Sequence, residues 1–143
     1  MDPVSVFLVD DNPTFLHILT RFLRESCQDE VVVVGTAGGG KEAMAKVQDL
    51  RPQVVLLDLA MPGMTGLDVI PFLRRMMPEV GIIALTLLNA NGYRDAALAA
   101  GADEFVAKAN LHTDLLPAIR RVADSARVPR VPGGQAGSVG PTE

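Results

Sequence analysis

The chain has 143 residues, of which 48% are apolar and 21% charged, with a formal net charge of −4. These values are typical of one ordinary globular domain, and the acidic balance argues against nucleic-acid binding by this chain alone. The sequence contains neither a signal peptide nor an apolar run long enough to span a membrane, and its single cysteine, Cys27, cannot form an internal disulfide, so we expect a cytoplasmic protein.

Short runs that are apolar at nearly every position alternate with longer segments along the chain. Such runs are typical of parallel strands that are covered on both faces. They predict five strands: Val4 to Val9, Val31 to Val34, Gln53 to Leu57, Val80 to Thr86, and Glu104 to Ala107. Because the segments between them read as helices, the order predicts an α/β fold with a doubly wound sheet and right-handed crossovers.

The first two helices are predicted from a capping signal and from apolar spacing. Asn12 and Pro13 mark the start of the first helix, since Asn is a common cap and Pro tolerates the first position. Apolar residues at helical spacing then define one face of each helix: Phe15, Leu19, Phe22 and Leu23 in the first, and Ala43, Met44, Val47 and Leu50 in the second.

The later helices contain two prolines and one weakly patterned segment. The third helix is predicted to start near Thr65, and Pro71 inside it predicts a bend or a late start. The fourth, around Asn91 to Ala100, is rich in alanine with little pattern, so packing should hold it weakly. The fifth is predicted to start near Thr113, which would leave Pro117 close enough to the first turn to be tolerated.

Chemically active side chains follow four of the five predicted strands. Asp10 and Asp11 follow the first, and three further residues end the later strands: Asp58, Thr86 and Lys108. In open parallel sheets, functional groups gather beyond the carboxyl ends of the strands. We therefore expect three carboxylates, a hydroxyl and an amine to meet on one rim of the sheet.

Three carboxylates held close together repel one another unless a cation neutralises them. Mg²⁺ prefers oxygen ligands and keeps several waters, which suits such a cluster. The Asp58 carboxylate can attack phosphorus directly, as aspartates that form aspartyl phosphates do. Lys108 would supply positive charge, and Thr86 a hydroxyl donor, in a transfer that depends mainly on positioning and charge neutralisation.

These residues and two sequence segments resemble the receiver domains of response regulators in two-component signalling. The stretch Asp58-Leu-Ala-Met-Pro-Gly-Met-Thr-Gly66 is similar to the phosphoacceptor loop of that family, and Gly101-Ala-Asp-Glu-Phe-Val-Ala-Lys-Ala109 to its fifth-strand segment. The likeness runs from about Val4 to Ala126. It implies a receiver domain over residues 1–126 with a flavodoxin-like sheet of order 2-1-3-4-5. Residues 127–143, rich in Gly and Pro, read as a disordered tail or truncated linker.

The resemblance also implies roles for individual residues. Asp58 would be the phosphoacceptor, and the metal would be bound by Asp11, Asp58 and the backbone carbonyl of Ala60, with Asp10 acting through water. Thr86 and Lys108 would stabilise the phosphoryl group. The cofactor would be Mg²⁺, and the chain would catalyse only its own phosphorylation and dephosphorylation.

The resemblance implies partners and a switch as well. The phosphoryl donor would be a sensor histidine kinase or a phosphotransfer protein, and copies of the chain would pair weakly. Thr86 and Phe105 would form the switch of the helix4-strand5-helix5 face. The alternative for Phe105 is an ordinary aromatic residue of the apolar core. Leu87 stands where the family often has a small residue, so it is a candidate modulator of access to Asp58. The fifth-strand segment most resembles the same segment of regulators that carry a LuxR-type helix-turn-helix domain. We expect no such domain within this sequence.

Two alternatives remain from the sequence. Gly35-Thr-Ala-Gly-Gly-Gly-Lys41 nearly fits the phosphate-binding loop of nucleotide hydrolases, although Glu42 stands where that loop needs Ser or Thr for Mg²⁺. A carboxylate there would also repel phosphates. The second alternative is a receiver-like interaction module that is never phosphorylated, against which the intact acidic set argues.

Overall fold

A five-stranded parallel sheet forms the centre of the computed structural model, which describes residues 2–87 and 91–126. The strand order is β2-β1-β3-β4-β5, and this confirms the predicted flavodoxin-like fold. In chain order the elements are β1 (Val4–Val9), α1 (Pro13–Ser26), β2 (Val31–Ala37), α2 (Gly40–Leu50), β3 (Val54–Asp58), α3 (Gly66–Met76), β4 (Gly81–Thr86), α4 (Asn91–Ala100), β5 (Glu104–Ala107) and α5 (Leu111–Ala126). The predicted tail, 127–143, lies outside the described residues.

The sheet has an apolar core on each face because successive side chains of a strand point to opposite sides. In β1, Phe7 and Val9 pack with α2 and α3, whereas Val6 and Leu8 pack with α1 and α5. The strands β3 and β4 are buried along their whole length. This two-sided burial explains why the strands read as continuous apolar runs in the sequence.

The second strand is longer than predicted. It continues past Gly35 to Ala37. Its pairing with β1 shifts register by one residue between Val33 and Gly35 and then continues to the end of the strand. A Cβ at Gly35 would lie 2.8 Å from the Leu50 side chain and 3.0 Å from the Phe7 ring, so glycine here accommodates packing rather than ending the strand. Leu50, at the end of the predicted apolar face of α2, is 44% exposed.

Capping groups determine where α1 and α3 begin. The N–H of Phe15 donates to Asn12 Oδ1 at 3.1 Å, as the predicted cap requires. Thr65 and Asp68 form a reciprocal capping box, and α3 starts directly after Thr65 and runs through Pro71. The predicted start near Thr65 is confirmed, and of the two effects expected from Pro71 the late start is excluded.

The last helix begins earlier than predicted. A 3-10 turn, Lys108–Asn110, leads straight into α5 at Leu111. Pro117 is thus the seventh residue of the helix, in its second turn, and the argument that placed it near the first turn is wrong. None of the described helices is both long and apolar enough to span a membrane.

Few side chains hold α4 in place. Among those of its side chains that the structure describes, only that of Ala97 is buried, and Tyr93 and Leu98 are exposed. The helix contacts α3 and β5. This agrees with the expectation that packing holds the fourth helix weakly.

Candidate functional site

Three aspartates meet at the carboxyl ends of β1 and β3. Asp10 and Asp11 follow β1 directly, and Asp58 is the last residue of β3. One carboxylate oxygen from each lies within 4.8 Å of the others. Asp10 and Asp58 are buried and Asp11 is exposed, so the cluster opens to solvent on the Asp11 side. The sequence predicted this convergence from the strand ends alone.

Lys108 neutralises part of this negative charge. It follows β5 directly, and its Nζ lies 2.7 Å from Asp10 Oδ2 and 3.4 Å from Asp58 Oδ1. The side chain is only 8% exposed, so both pairs are shielded from water. One cation facing three carboxylates leaves the cluster net negative, a set of hard oxygen donors that fits Mg²⁺.

Both carboxylate oxygens of Asp10 already have donors. The N–H of Asn12 donates to Oδ1 at 2.9 Å, and Lys108 donates to Oδ2. Asp58 likewise accepts from the backbone N–H of Ala60 and from Lys108, the latter at a longer distance than Asp10 does. That Asp10 acts on a cation through water stays a prediction.

The electrostatic surroundings of Asp58 disfavour its charged form. Burial raises the pKa of the Asp58 carboxyl, and the negative charge of Asp10 raises it further. Lys108 and the backbone N–H of Ala60 oppose this rise, by charge and by hydrogen bonding. A buried carboxylate beside another carboxylate gains from an added cation, which would relieve both effects.

A glycine brings the α3 start close to Asp58, and the sequence analysis did not single it out. Gly66 begins α3, and its N–H donates to the carbonyl of Leu59 at 3.2 Å. A Cβ at Gly66 would collide with the carbonyl oxygen of Asp58 and with Leu59 Cα. Glycine is therefore needed for the helix to pack against the loop after β3.

Three other predicted site residues lie on β4, on β5 or directly after β4. Thr86, the last residue of β4, is fully buried. Phe105 pairs opposite Ala84 in the ladder between β4 and β5 and is half-buried against the α2–α3 core. Thr86 lies two residues after Ala84 and thus on the same face of the sheet as Phe105. Leu87, directly after β4, is 79% exposed.

The glycine-rich segment before α2 does not form a phosphate-binding loop. Gly35 to Ala37 belong to β2, and the N–H of Gly38 donates to Glu42 Oε1 at 3.0 Å. Lys46 lies 2.6 Å from the other Glu42 oxygen. The Lys46 hydrogen bond and that of Gly38 hold the Glu42 pKa below its ordinary value. The ionised Glu42 carboxylate therefore accepts the hydrogen bond from the Gly38 amide, which would otherwise face a phosphate. The nucleotide-hydrolase alternative is not favoured.

Comparison with known proteins identifies one family. The family model described as the response regulator receiver domain matches residues 6–120. The chain is 39% identical over 106 residues to a protein named as the probable transcriptional regulatory protein TcrX of Mycobacterium tuberculosis, covering 74% of the chain and 44% of the relative. It is 34% identical over 119 residues to the response regulator GacA of Pseudomonas viridiflava, covering 83% of the chain and 55% of the relative.

The fold is shared with a solved structure. The response regulator domain of CheB from Thermotoga maritima matches with a TM-score of 0.75 and 27% identity, over 85% of this chain and 97% of that one. The matched region of the chain spans about half the length of these two curated relatives.

Proposed function

The chain belongs to the response regulator receiver domain family of two-component signalling, and from this premise we propose that Asp58 accepts a phosphoryl group from a sensor histidine kinase or a phosphotransfer protein. The observation that carries the proposal is the position of Asp58: a buried carboxylate at a strand end, 3.4 Å from the Lys108 ammonium and within 4.8 Å of two further carboxylates.

The transfer needs a nucleophile but no general base. A carboxylate oxygen of Asp58 forms a bond to phosphorus as the bond from phosphorus to the donor imidazole nitrogen breaks. The electron pair of the broken bond stays on that nitrogen, which then takes up a proton. Lys108 pairs with the added phosphoryl oxygens, and the Thr86 hydroxyl donates to them.

We propose Mg²⁺ as the cofactor, held by Asp11, Asp58 and the backbone carbonyl of Ala60, with Asp10 bound through water. The donor set supports this assignment because all the side-chain ligands are hard oxygens. When bound, the metal would neutralise charge on the transferring phosphoryl group. The chain's own contribution is to hold the carboxylates together at the sheet edge and to shield Asp58 from bulk water.

We propose a switch that runs from Thr86 to Phe105. Drawing the Thr86 hydroxyl toward a phosphoryl group on Asp58 would vacate space on the face of the sheet that Phe105 shares. Phe105 would turn into that space, and the weakly packed α4 would shift most easily. The altered surface would comprise α4, β5 and α5, where an output partner or a second copy of the chain would bind weakly. Leu87, beside this path, would modulate access to Asp58.

The proposed setting is cytoplasmic. There the chain acts as a phosphoacceptor that catalyses only its own phosphorylation and dephosphorylation. Residues 1–126 would form the receiver domain. Because the matched regions cover only 44% and 55% of the two relatives, we propose that the output belongs to a partner or to a further part of a longer protein.

Intact-mass measurement tests the phosphoacceptor. Incubation with acetyl phosphate and Mg²⁺ should add one phosphoryl group to the wild-type chain, with acetate as the leaving group, and a kinase donor should be tried alongside. Asp58→Asn should abolish the adduct, while Asp49→Asn, which removes an exposed carboxylate on α2, should leave it unchanged. An adduct that survives Asp58→Asn would contradict the assignment.

A further inference from the structure

The Lys108 ammonium has a third neighbour besides the two carboxylates. Its Nζ lies 4.1 Å from the centroid of the Phe15 ring, over the ring face. An ammonium has three N–H donors, and here two of its neighbours are Asp10 and Asp58. The aromatic face carries negative electrostatic potential and attracts a cation that is shielded from water. The ring is therefore a third partner of the ammonium, beside the two carboxylates.

Two hydrogen bonds of Asn12 connect Phe15 to the aspartate cluster. The N–H of Asn12 donates to Asp10 Oδ1, and the N–H of Phe15 donates to Asn12 Oδ1. These two bonds connect the carboxylate that pairs with Lys108 to the residue whose ring lies under Lys108. The start of α1 thus orients both partners of the same cation.

We propose that Phe15 is a positioning residue for phosphoryl transfer: its ring holds the Lys108 ammonium between Asp10 and Asp58, where the incoming phosphoryl group needs it. The inference rests on the proposed function. Lysine has a flexible four-carbon stem, and without the ring the ammonium would settle on Asp10, its shorter contact. The phosphoryl group would then lose part of its charge stabilisation.

Phe15 also packs against the α1–α5 core, so the test must separate packing from the contact with Lys108. Phe15→Leu keeps an apolar side chain but removes the aromatic face, and Phe15→Tyr restores that face. Phe22→Leu is the matched control. Phe22 lies on the same helix and packs against the same core, but its ring contact is with His112.

Proton NMR of the Lys108 side chain detects its contact with the Phe15 ring directly and without phosphorylation. The ring current of Phe15 should shift the Lys108 side-chain protons nearest the ammonium upfield in the wild type, in Phe15→Tyr and in Phe22→Leu. The shift should disappear in Phe15→Leu. An unchanged Lys108 shift in Phe15→Leu would overturn the inference.

The rate of Asp58 phosphorylation tests whether the contact between Phe15 and Lys108 affects phosphoryl transfer. With acetyl phosphate and saturating Mg²⁺, Phe15→Leu should gain the Asp58 adduct about three- to tenfold more slowly. Phe15→Tyr and Phe22→Leu should stay within about twofold of the wild type, and the Mg²⁺ affinity should not change in any of them. If the wild type gains no adduct with either donor, the proposed function falls and this inference with it. If Phe15→Leu reacts at the wild-type rate, or if Phe22→Leu is slowed equally, the inference alone is overturned.

Discussion

The ammonium of Lys108 lies 2.7 Å from the carboxylate of Asp10, although 98 positions separate the two residues in the chain. The pair is shielded from water, and Asp58 lies on its other side at 3.4 Å. We therefore expect Lys108 to contribute to the stability of the fold as well as to the proposed chemistry of the site.

Removing this cation should destabilise the metal-free protein. Lys108→Met leaves Asp10 and Asp58 buried without their counter-charge, and the free energy of unfolding should fall by about 3 kcal/mol. Lys46→Met breaks an exposed pair with Glu42 and should cost less than about 1 kcal/mol. Urea unfolding in the presence of a chelator measures both variants. Equal losses would show that Lys108 does not balance a buried charge.

The raised pKa of Asp58 makes stability depend on pH. The folded chain holds the Asp58 proton to a higher pH than the unfolded chain, where the ordinary value is 3.8. The contribution of this group to stability is therefore present at low pH and is lost as the pH rises through the folded pKa. Asp58→Asn should raise the free energy of unfolding at neutral pH without metal, and this gain should shrink as the pH falls toward 3.8. A gain that is independent of pH would contradict the assignment.

Mg²⁺ should stabilise the wild-type chain through the aspartate cluster. At a free concentration one hundred times the Kd, the gain in free energy of unfolding is about 2.7 kcal/mol. Asp11→Asn should shift the Mg²⁺ titration of the Tm to higher concentration, because it removes one direct ligand. Asp49→Asn is the control and should titrate like the wild type. Superimposable curves for Asp11→Asn and the wild type would place the metal elsewhere.

Gly66→Ala should disturb the loop that carries Asp58. The added methyl group would collide with backbone atoms of Asp58 and Leu59, so we expect a loss of about 1–3 kcal/mol in stability together with slower formation of the Asp58 adduct. A Cβ at Gly92 in α4 would meet nothing within 4 Å, so Gly92→Ala should be neutral or slightly stabilising. Thermal unfolding and intact mass test both. If Gly66→Ala unfolds and reacts like the wild type, the packing of α3 against the Asp58 loop does not require glycine.

The proposed switch requires the Thr86 hydroxyl. Addition of beryllofluoride, which mimics the phosphoryl group, should change amide NMR shifts near Asp58 and at Thr86, Leu87, Phe105 and α4. Thr86→Ala should still accept the phosphoryl group but lose the distant changes, a coupling typically worth ~1–3 kcal/mol. The switch is wrong if the changes stay at the Asp58 loop in the wild type, or if Thr86→Ala transmits them normally.

Local patterns along the chain predicted a doubly wound α/β sheet and the residues at its strand ends, whereas the strand order came from the resemblance to receiver domains. Runs of apolar residues buried on both faces marked the strands, and Asp10, Asp11, Asp58, Thr86 and Lys108 were placed on one rim because parallel strands end at the same edge. Boundaries were less accurate where local signals conflicted with packing. Gly35 signals a strand end but lies inside β2, and the α5 start was set too late at Thr113.

The sequence by itself determined which elements form and which residues stand at the strand ends, because hydrophobic periodicity and capping act over a few neighbouring residues. Only the tertiary structure decided which side chains touch there. The Phe15 ring lies against Lys108, Gly66 packs on the carbonyl of Asp58, and Glu42 turns back onto the amide of Gly38. Contacts of this kind depend on how helices pack across the sheet and on side-chain rotamers, and no short segment of sequence specifies either.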